Sequence, residues 1–252
     1  MSLYPTTLFH FTNKQSLYNI LNSNFNISYA REKIIGPNNN REFAVPMVSF
    51  CDLKLSELKH FLNYGKFGIG LSKEWANRKN LSPVMYINRH CSLMDDLITG
   101  LNGIYSHLNL INDLPRFNDL SNHYHNIMNT YRYIKNYEGE LIRQGNLTNP
   151  NYRFADEREW RFVPKLNTQG VLPFVAISNI KTTEQKEFCN RKVENIKLEF
   201  TPEDIKYLVV ESESDITDLI NHLQNAKRHF NTEIRNKLAS RILTSEQIIK
   251  DI

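Results

Sequence analysis

Short runs of aromatic and β-branched residues recur along most of the chain. They lie at Tyr4 to Phe11, Asn26 to Ala30, Phe43 to Phe50, Lys66 to Leu71, Val84 to Ile87, Tyr131 to Lys135, Tyr152 to Phe154, Glu159 to Val163, Phe174 to Ile177, Ile196 to Phe200 and Tyr207 to Val210. Runs of this length suit strands, and segments of helical period stand between them, so the sequence predicts an α+β fold with a strand-rich frame. Thr12 or Asn13 can cap a helix that turns Leu17, Ile20 and Leu21 to one side, and Ser72 can cap another that carries Trp75. From His90 to about Thr130, Leu93, Leu97, Leu101, Ile104 and Leu108 recur at helical spacing until Pro115 breaks the pattern, which predicts a helical insertion over about 90–130. Ile216, Leu219, Ile220 and Leu223 predict an amphipathic helix over Asp215 to Phe230. Thr244-x-x-Gln247 has the spacing of a capping box and opens the last of the helices expected over about 215–252.

Two segments interrupt this pattern. Arg31 to Glu42 contains Gly36-Pro37-Asn38-Asn39-Asn40, a composition that predicts a mobile loop or lid. Pro46, inside an apolar run, predicts a sheet edge or bulge. No repeat and no shift in composition marks a linker, so residues 1–252 read as a single domain.

Composition excludes several classes. Hydrophobic residues make up 40% and charged residues 23% of the 252, which supports a normal core and rules out collagen-like or wholly disordered chains. Lys and Arg total 31 against 27 Asp and Glu, and a net charge of +4 is too small to argue for nucleic acid by itself. One local patch stands out between residues 226 and 242, where Lys227, Arg228, Arg235, Lys237 and Arg241 oppose Glu233 alone. Such a helix could meet phosphates or an acidic partner, or be merely solvated. Cys51, Cys91 and Cys189 are too scattered for a zinc knuckle or a disulfide framework. His123 and His125 point apart on a helix, so no metal site is expected. With no leader-like start and no long apolar run, a cytoplasmic protein without membrane contact is expected.

Three places carry residue types suited to chemistry. His10 stands among Leu8, Phe9 and Phe11 near a strand end, where an imidazole can serve a sheet rim or simply be satisfied in the core. Ser49 and Cys51 interrupt an apolar strand and share a face by alternation. In Phe154 to Phe162, alternation in a strand would place Glu157, Glu159 and Arg161 together, as a reactive carboxylate beside arginines or as a salt-bridged solvent face.

The succession Leu8-Phe9-His10-Phe11-Thr12, Leu17-x-x-Ile20-Leu21 and Ile27-Ser28-Tyr29 resembles the opening of ADP-ribosyltransferase-like folds, including the DarT-type enzymes that modify DNA. The stretches Ala44 to Leu53, Tyr64 to Trp75, Asp156 to Arg161 and Ser245 to Ile248 resemble the AbiGi family of abortive phage-resistance proteins, nearly end to end. The first resemblance implies a mixed or antiparallel β core with flanking helices and a pocket for NAD as substrate. In that pocket His10 would bind a ribose hydroxyl, Thr12 and Ser49 would line the site, Tyr29 would stack on nicotinamide and Arg41 would meet the pyrophosphate. Glu159, with Glu157 as its competitor, would stabilise the oxocarbenium-like ribose as nicotinamide leaves. The activity implied is transfer of ADP-ribose to nucleic acid or protein, or NAD cleavage. The second resemblance implies a non-catalytic antitoxin that neutralises a nucleotidyltransferase-like toxin or binds nucleic acid.

Overall fold

A computed structural model describes residues 5–60, 62–143, 146–226 and 230–251. The chain opens with strand β1 (Thr7–Thr12), helix α1 (Lys14–Ser23) and strands β2 (Phe25–Asn26), β3 (Ser28–Ile35), β4 (Asn40–Cys51) and β5 (Phe67–Ser72). Helix α2 (Lys73–Arg78), β6 (Ser82–Pro83) and β7 (Met85–Ile87) lead into α3 (Leu93–Leu108) and α4 (Leu114–Met128), after which come β8 (Ile134–Asn136), β9 (Gly139–Arg143), β10 (Asn146–Tyr152), β11 (Glu159–Phe162) and β12 (Val175–Ala176). The last third holds α5 (Thr183–Arg191), β13 (Lys197–Leu198), β14 (Ile205–Val210), α6 (Glu213–Asn225), α7 (Thr232–Ala239), β15 (Ile242–Thr244) and α8 (Ser245–Asp251). The architecture is mixed α+β.

The main sheet runs β15-β14-β5-β1-β4-β11-β6, with β3 and β12 also paired to β4. Its pairings are antiparallel except β14 with β15, whose Leu208, Val209 and Val210 face Ile242, Leu243 and Thr244 in parallel. The first strand to be made is central: β1 pairs β5 from Thr7↔Ser72 to Thr12↔Phe67 and meets β4 at Phe9↔Cys51. Helices cover one face through the stripes their periods encode. Asn13 caps α1 by accepting from the Ser16 N–H, and Leu17, Ile20 and Leu21 are buried. Ser72 caps α2 in the same way, and buried Trp75 joins Leu8, Phe25, Phe50 and Ile69 in the largest core cluster. Each such side chain contributes about 1.5–3 kcal/mol of burial. A smaller cluster of Phe9, Leu53, Leu58, Leu62, Val209 and Ile248 covers the opposite face.

Several local expectations are corrected. Arg31 to Glu42 is no loop: β3 and β4 form a hairpin in register from Ser28↔Met47 to Ile35↔Asn40, and only residues 36–39 turn. Its tip is pinned, since Asp95 of α3 accepts from the Asn38 backbone N–H and from the side-chain amides of Asn38 and Asn39. Asn136 clamps the edge of β3, accepting from the Ile35 N–H at 2.8 Å and donating to the Ile35 carbonyl at 2.9 Å, as a paired strand would. Pro46 lies between the part of β4 paired to β11 and the part paired to β12, where the missing N–H costs no ladder bond. The run at Tyr131 begins as a 3-10 turn, Asn129–Tyr133, before β8. Phe154–Glu157 is likewise a 3-10 turn, after β10. The expected helix over Asp215 to Phe230 ends at Asn225, and α7 forms separately. Pro115 stands in the first turn of α4, where its missing N–H breaks no bond, so it opens a second helix of the insertion.

Candidate functional site

Beyond Phe9↔Cys51, strands β1 and β4 diverge. The His10 imidazole spans the gap: its Nδ1 lies 2.9 Å from the Ser49 carbonyl oxygen. A carbonyl only accepts, so Nδ1 carries the proton and Nε2 presents a lone pair. Burial lowers the His10 pKa, only partly opposed by the bond to Ser49, and the ring is neutral at pH 7. Phe25 edge-on at 5.3 Å and tilted Phe50 at 5.6 Å hold the imidazole in place.

A groove of about 290 Å³ opens at this split. It is lined by His10, Thr12 and Ser49, by Ser16 and Asn19 of α1, and by Asn24, Asn26 and Ser28. Hydroxyls, amides and one neutral imidazole make the polar lining, and no Asp, Glu, Lys or Arg lines it among the described residues. Such a surface can hydrogen-bond an uncharged polar group. It offers no cation to a phosphate and no carboxylate to a developing positive charge.

Glu159 lies elsewhere. Register places Phe9, Cys51 and Glu159 in one row across the sheet and hence on one face. His10 and Phe50, whose rings touch, share the other face. On its own face Glu159 belongs to a buried ion network. Its Oε1 accepts from Arg161 Nε at 2.7 Å, and its Oε2 accepts from Lys135 Nζ at 2.9 Å. The same Lys135 donates to Glu157 at 2.9 Å, and Arg161 also donates to Glu32 at 2.8 Å. Tyr64 donates to Glu157, and Lys135 lies over the Phe154 ring at 4.8 Å.

Electrostatics follow from this packing. Burial alone would raise the Glu159 pKa, but Lys135 and Arg161 outweigh it and hold the carboxyl at about 2. For Glu32, burial prevails over Arg161 and the pKa rises. The network holds three carboxylates and two cations, and between Glu32 and Glu159 it is Glu32 that takes a proton more readily. Cys51 sits beside it, and burial followed by the charges of Glu157 and Glu159 pushes its thiol up, which leaves it protonated and unreactive.

Of the residues singled out by sequence, His10, Thr12 and Ser49 meet in the groove. Tyr29 does not: its ring is 0% exposed in the core, its hydroxyl donates to the Leu172 carbonyl, and no face is free for stacking. Arg41 lies on the hairpin and donates to Asn102 of α3. Glu157 and Glu159 do come together, but through Lys135 and inside the protein, so the charged face is buried, not solvated. In the basic segment, Lys227 and Arg228 lie outside the described residues, while Arg235 and Arg241 donate to the backbone carbonyls of Phe230 and Ile205. Lys135 and Glu32 escaped sequence reading because their partners are far away in the chain. The groove's Asn24, Asn26 and Ser28 had a signal in their polar alternation with Phe25 and Ile27.

Among the described residues no group of three His, Cys, Asp or Glu is placed to hold a metal ion, and no helix is long and apolar enough to cross a membrane. No curated protein and no solved structure matches the chain. One family model does, over residues 22–211, described as "Putative abortive phage resistance protein AbiGi, antitoxin". That match takes in the groove's β2–β4 wall, the helical insertion and the whole ion network. The chain therefore belongs to the AbiGi family of abortive phage-resistance antitoxins.

Proposed function

We propose that this chain acts in phage resistance as an antitoxin that neutralises a nucleotidyltransferase-like toxin by binding it, without turning over a substrate of its own. One observation carries the reading: the carboxylate a transferase would need is bound by Arg161 and Lys135 and is not among the residues that line the His10 groove. Electrostatic catalysis requires a charge free to meet the charge that develops on the substrate, and Glu159 is already neutralised by its own neighbours. A nucleic-acid contact along 227–241 draws on less, because Arg235 and Arg241 already hold carbonyls of the chain itself.

A second reading keeps an ADP-ribosyltransferase-like core with NAD in the groove. It is favoured by the meeting of His10, Thr12 and Ser49 at the split between β1 and β4, where Nε2 of His10 could accept from a ribose hydroxyl. The experiment incubates the purified chain with NAD and, separately, with the purified toxin. The binding reading expects toxin activity to fall in proportion to added chain and nicotinamide to stay at background. Nicotinamide release that vanishes in Thr12→Val and Ser49→Ala variants of unchanged melting temperature would overturn it in favour of the second.

A further inference from the structure

Several polar groups that line the His10 groove have their hydrogen-bonding sense fixed from behind. The amide oxygen of Asn24 accepts from the Phe200 backbone N–H at 3.2 Å, and that of Asn26 accepts from the Lys197 ammonium. Both partners can only donate, so each amide is held with its oxygen engaged. Each NH2 is left over, with no partner among the described residues. Strand β4 adds a third donor. It is paired on one edge by β1 at Cys51 and by β3 at Met47, and between them the Ser49 carbonyl turns to His10. A strand residue carries its N–H on the same edge as its carbonyl, so the Ser49 N–H also faces the split. Opposed to these three donors is one acceptor of fixed sense, His10 Nε2, while the hydroxyls of Thr12, Ser16 and Ser28 serve either way.

This inventory selects a chemistry. A ligand that satisfies the wall is uncharged, brings more acceptors than donors, and offers a donor to His10. The imide of uracil or thymine has two carbonyl oxygens for one ring N–H. Cytosine, adenine and guanine each bring an exocyclic amine, whose two hydrogens compete for the single fixed acceptor while donors on the wall go unmatched. Size agrees: about 290 Å³ stands at the lower end of small-molecule sites, which suits one nucleoside and not a dinucleotide. Ile20, Phe25, Met47 and Val48 supply apolar surface beside the polar groups.

We infer that the groove binds the imide face of a uracil or thymine base within one nucleoside unit, with Asn24, Asn26 and the Ser49 N–H donating to its oxygens and His10 Nε2 accepting from its ring N–H. The inference goes beyond the antitoxin reading, which gives the groove no task, and stands independently of it. Lys197 does not change the preference for a neutral ligand, because its ammonium is spent on the oxygen of Asn26 and does not line the groove.

The test titrates the full chain with uridine by isothermal calorimetry, where saturable one-to-one binding is expected. Cytidine should bind at least tenfold more weakly, since a site built to hydrogen-bond one pattern rejects its reverse. Uridine 5′-monophosphate should bind no more tightly than uridine, because no cation lines the groove to meet its phosphate. Asn24→Asp and Asn26→Asp keep the oxygen that Phe200 and Lys197 need and replace only the NH2, so each should weaken uridine at least tenfold at an unchanged melting temperature. The contrast of uridine with cytidine uses the unaltered chain and so holds even if a variant fails to fold. Absence of saturable uridine and thymidine binding, or equal affinity for cytidine, would overturn the inference. NAD that displaces uridine and binds more tightly would also overturn it and give the groove to the second reading above. Oligouridylate bound at least tenfold more tightly than uridine would place the base in a strand, and equal affinity would place it in a free nucleoside; both results uphold the inferred chemistry.

Discussion

Replacing Lys135 by Met would test whether the ion network behaves as a buried unit. Lys135 is the only cation within reach of Glu157 among the described ion pairs, and it shares Glu159 with Arg161. Its removal leaves three carboxylates facing one guanidinium. Losing one partner of a buried ion pair typically costs about 3–5 kcal/mol, because the other charge stays behind desolvated. The Lys135 side chain keeps 17% of its exposure, so the lower end applies, about 3 kcal/mol. For a chain of this size each kcal/mol lowers Tm by roughly 2–4 °C, so the fall should be about 6–12 °C by circular dichroism at pH 7. The deficit should shrink toward pH 4, because the abandoned carboxylates then take up protons. The double variant Lys135→Met, Glu157→Gln should recover part of the loss, since the orphaned charge is gone. A loss below about 1 kcal/mol, with no dependence on pH, would refute the reasoning and class the cluster with exposed ion pairs.

Two further outcomes follow from the same geometry and its neighbours. Glu159 is held at about 2, below its ordinary 4.5, so its contribution is present above pH 4.5 and is lost as pH falls toward 2; Glu32 is raised, so its contribution is present below its ordinary pKa and fades as pH rises through the raised value. Urea unfolding across pH 2–7 should therefore show acid destabilisation that Glu159→Gln flattens, while Glu32→Gln costs less than Glu159→Gln at pH 7; the reverse order would mean that Glu32 is the ionised member. Gly65→Ala should cost about 1–3 kcal/mol, as overpacking does. An added Cβ would lie 2.1 Å from the Thr12 carbonyl oxygen, a backbone atom that yields only if β1 moves. A variant as stable as wild type would show that the turn before β5 gives way freely.

The start of the fold was legible because its signals are local. A capping Asn13 and a stripe of Leu17, Ile20 and Leu21 specify α1 without reference to anything distant, and Ser72 does the same for α2. The β3–β4 hairpin was not legible, because Arg31-Glu32-Lys33 masks the alternation that Tyr29 and Ile34 would otherwise reveal. Glu32 finds its ion-pair partner in Arg161, which lies 129 positions away in sequence. Alternation did bring Glu157 and Glu159 together, though by a different route. Arg158 takes a left-handed conformation at φ 43° and ends the 3-10 turn, and Lys135 rejoins the two carboxylates from β8. His10, Thr12 and Ser49 were found by residue type, yet the face on which Glu159 stands depends on register across β4, which no single strand encodes.

The order in which the sheet is assembled bears on how the chain matures during synthesis. Central β1 waits only until residue 72 for β4 and β5, so the middle of the sheet can close early. Among the described residues β14, by contrast, has its outer edge paired to β15 alone, whose last residue is Thr244, and Thr244 and Gln247 then exchange reciprocal hydrogen bonds that start α8. A nascent chain halted near residue 211 would hold the residues of the family match and still display an open row of backbone donors and acceptors along Leu208 to Val210. Ribosome stalling or proteolytic clipping in that stretch would thus leave a fragment whose open strand edge invites pairing with other chains until β15 closes it.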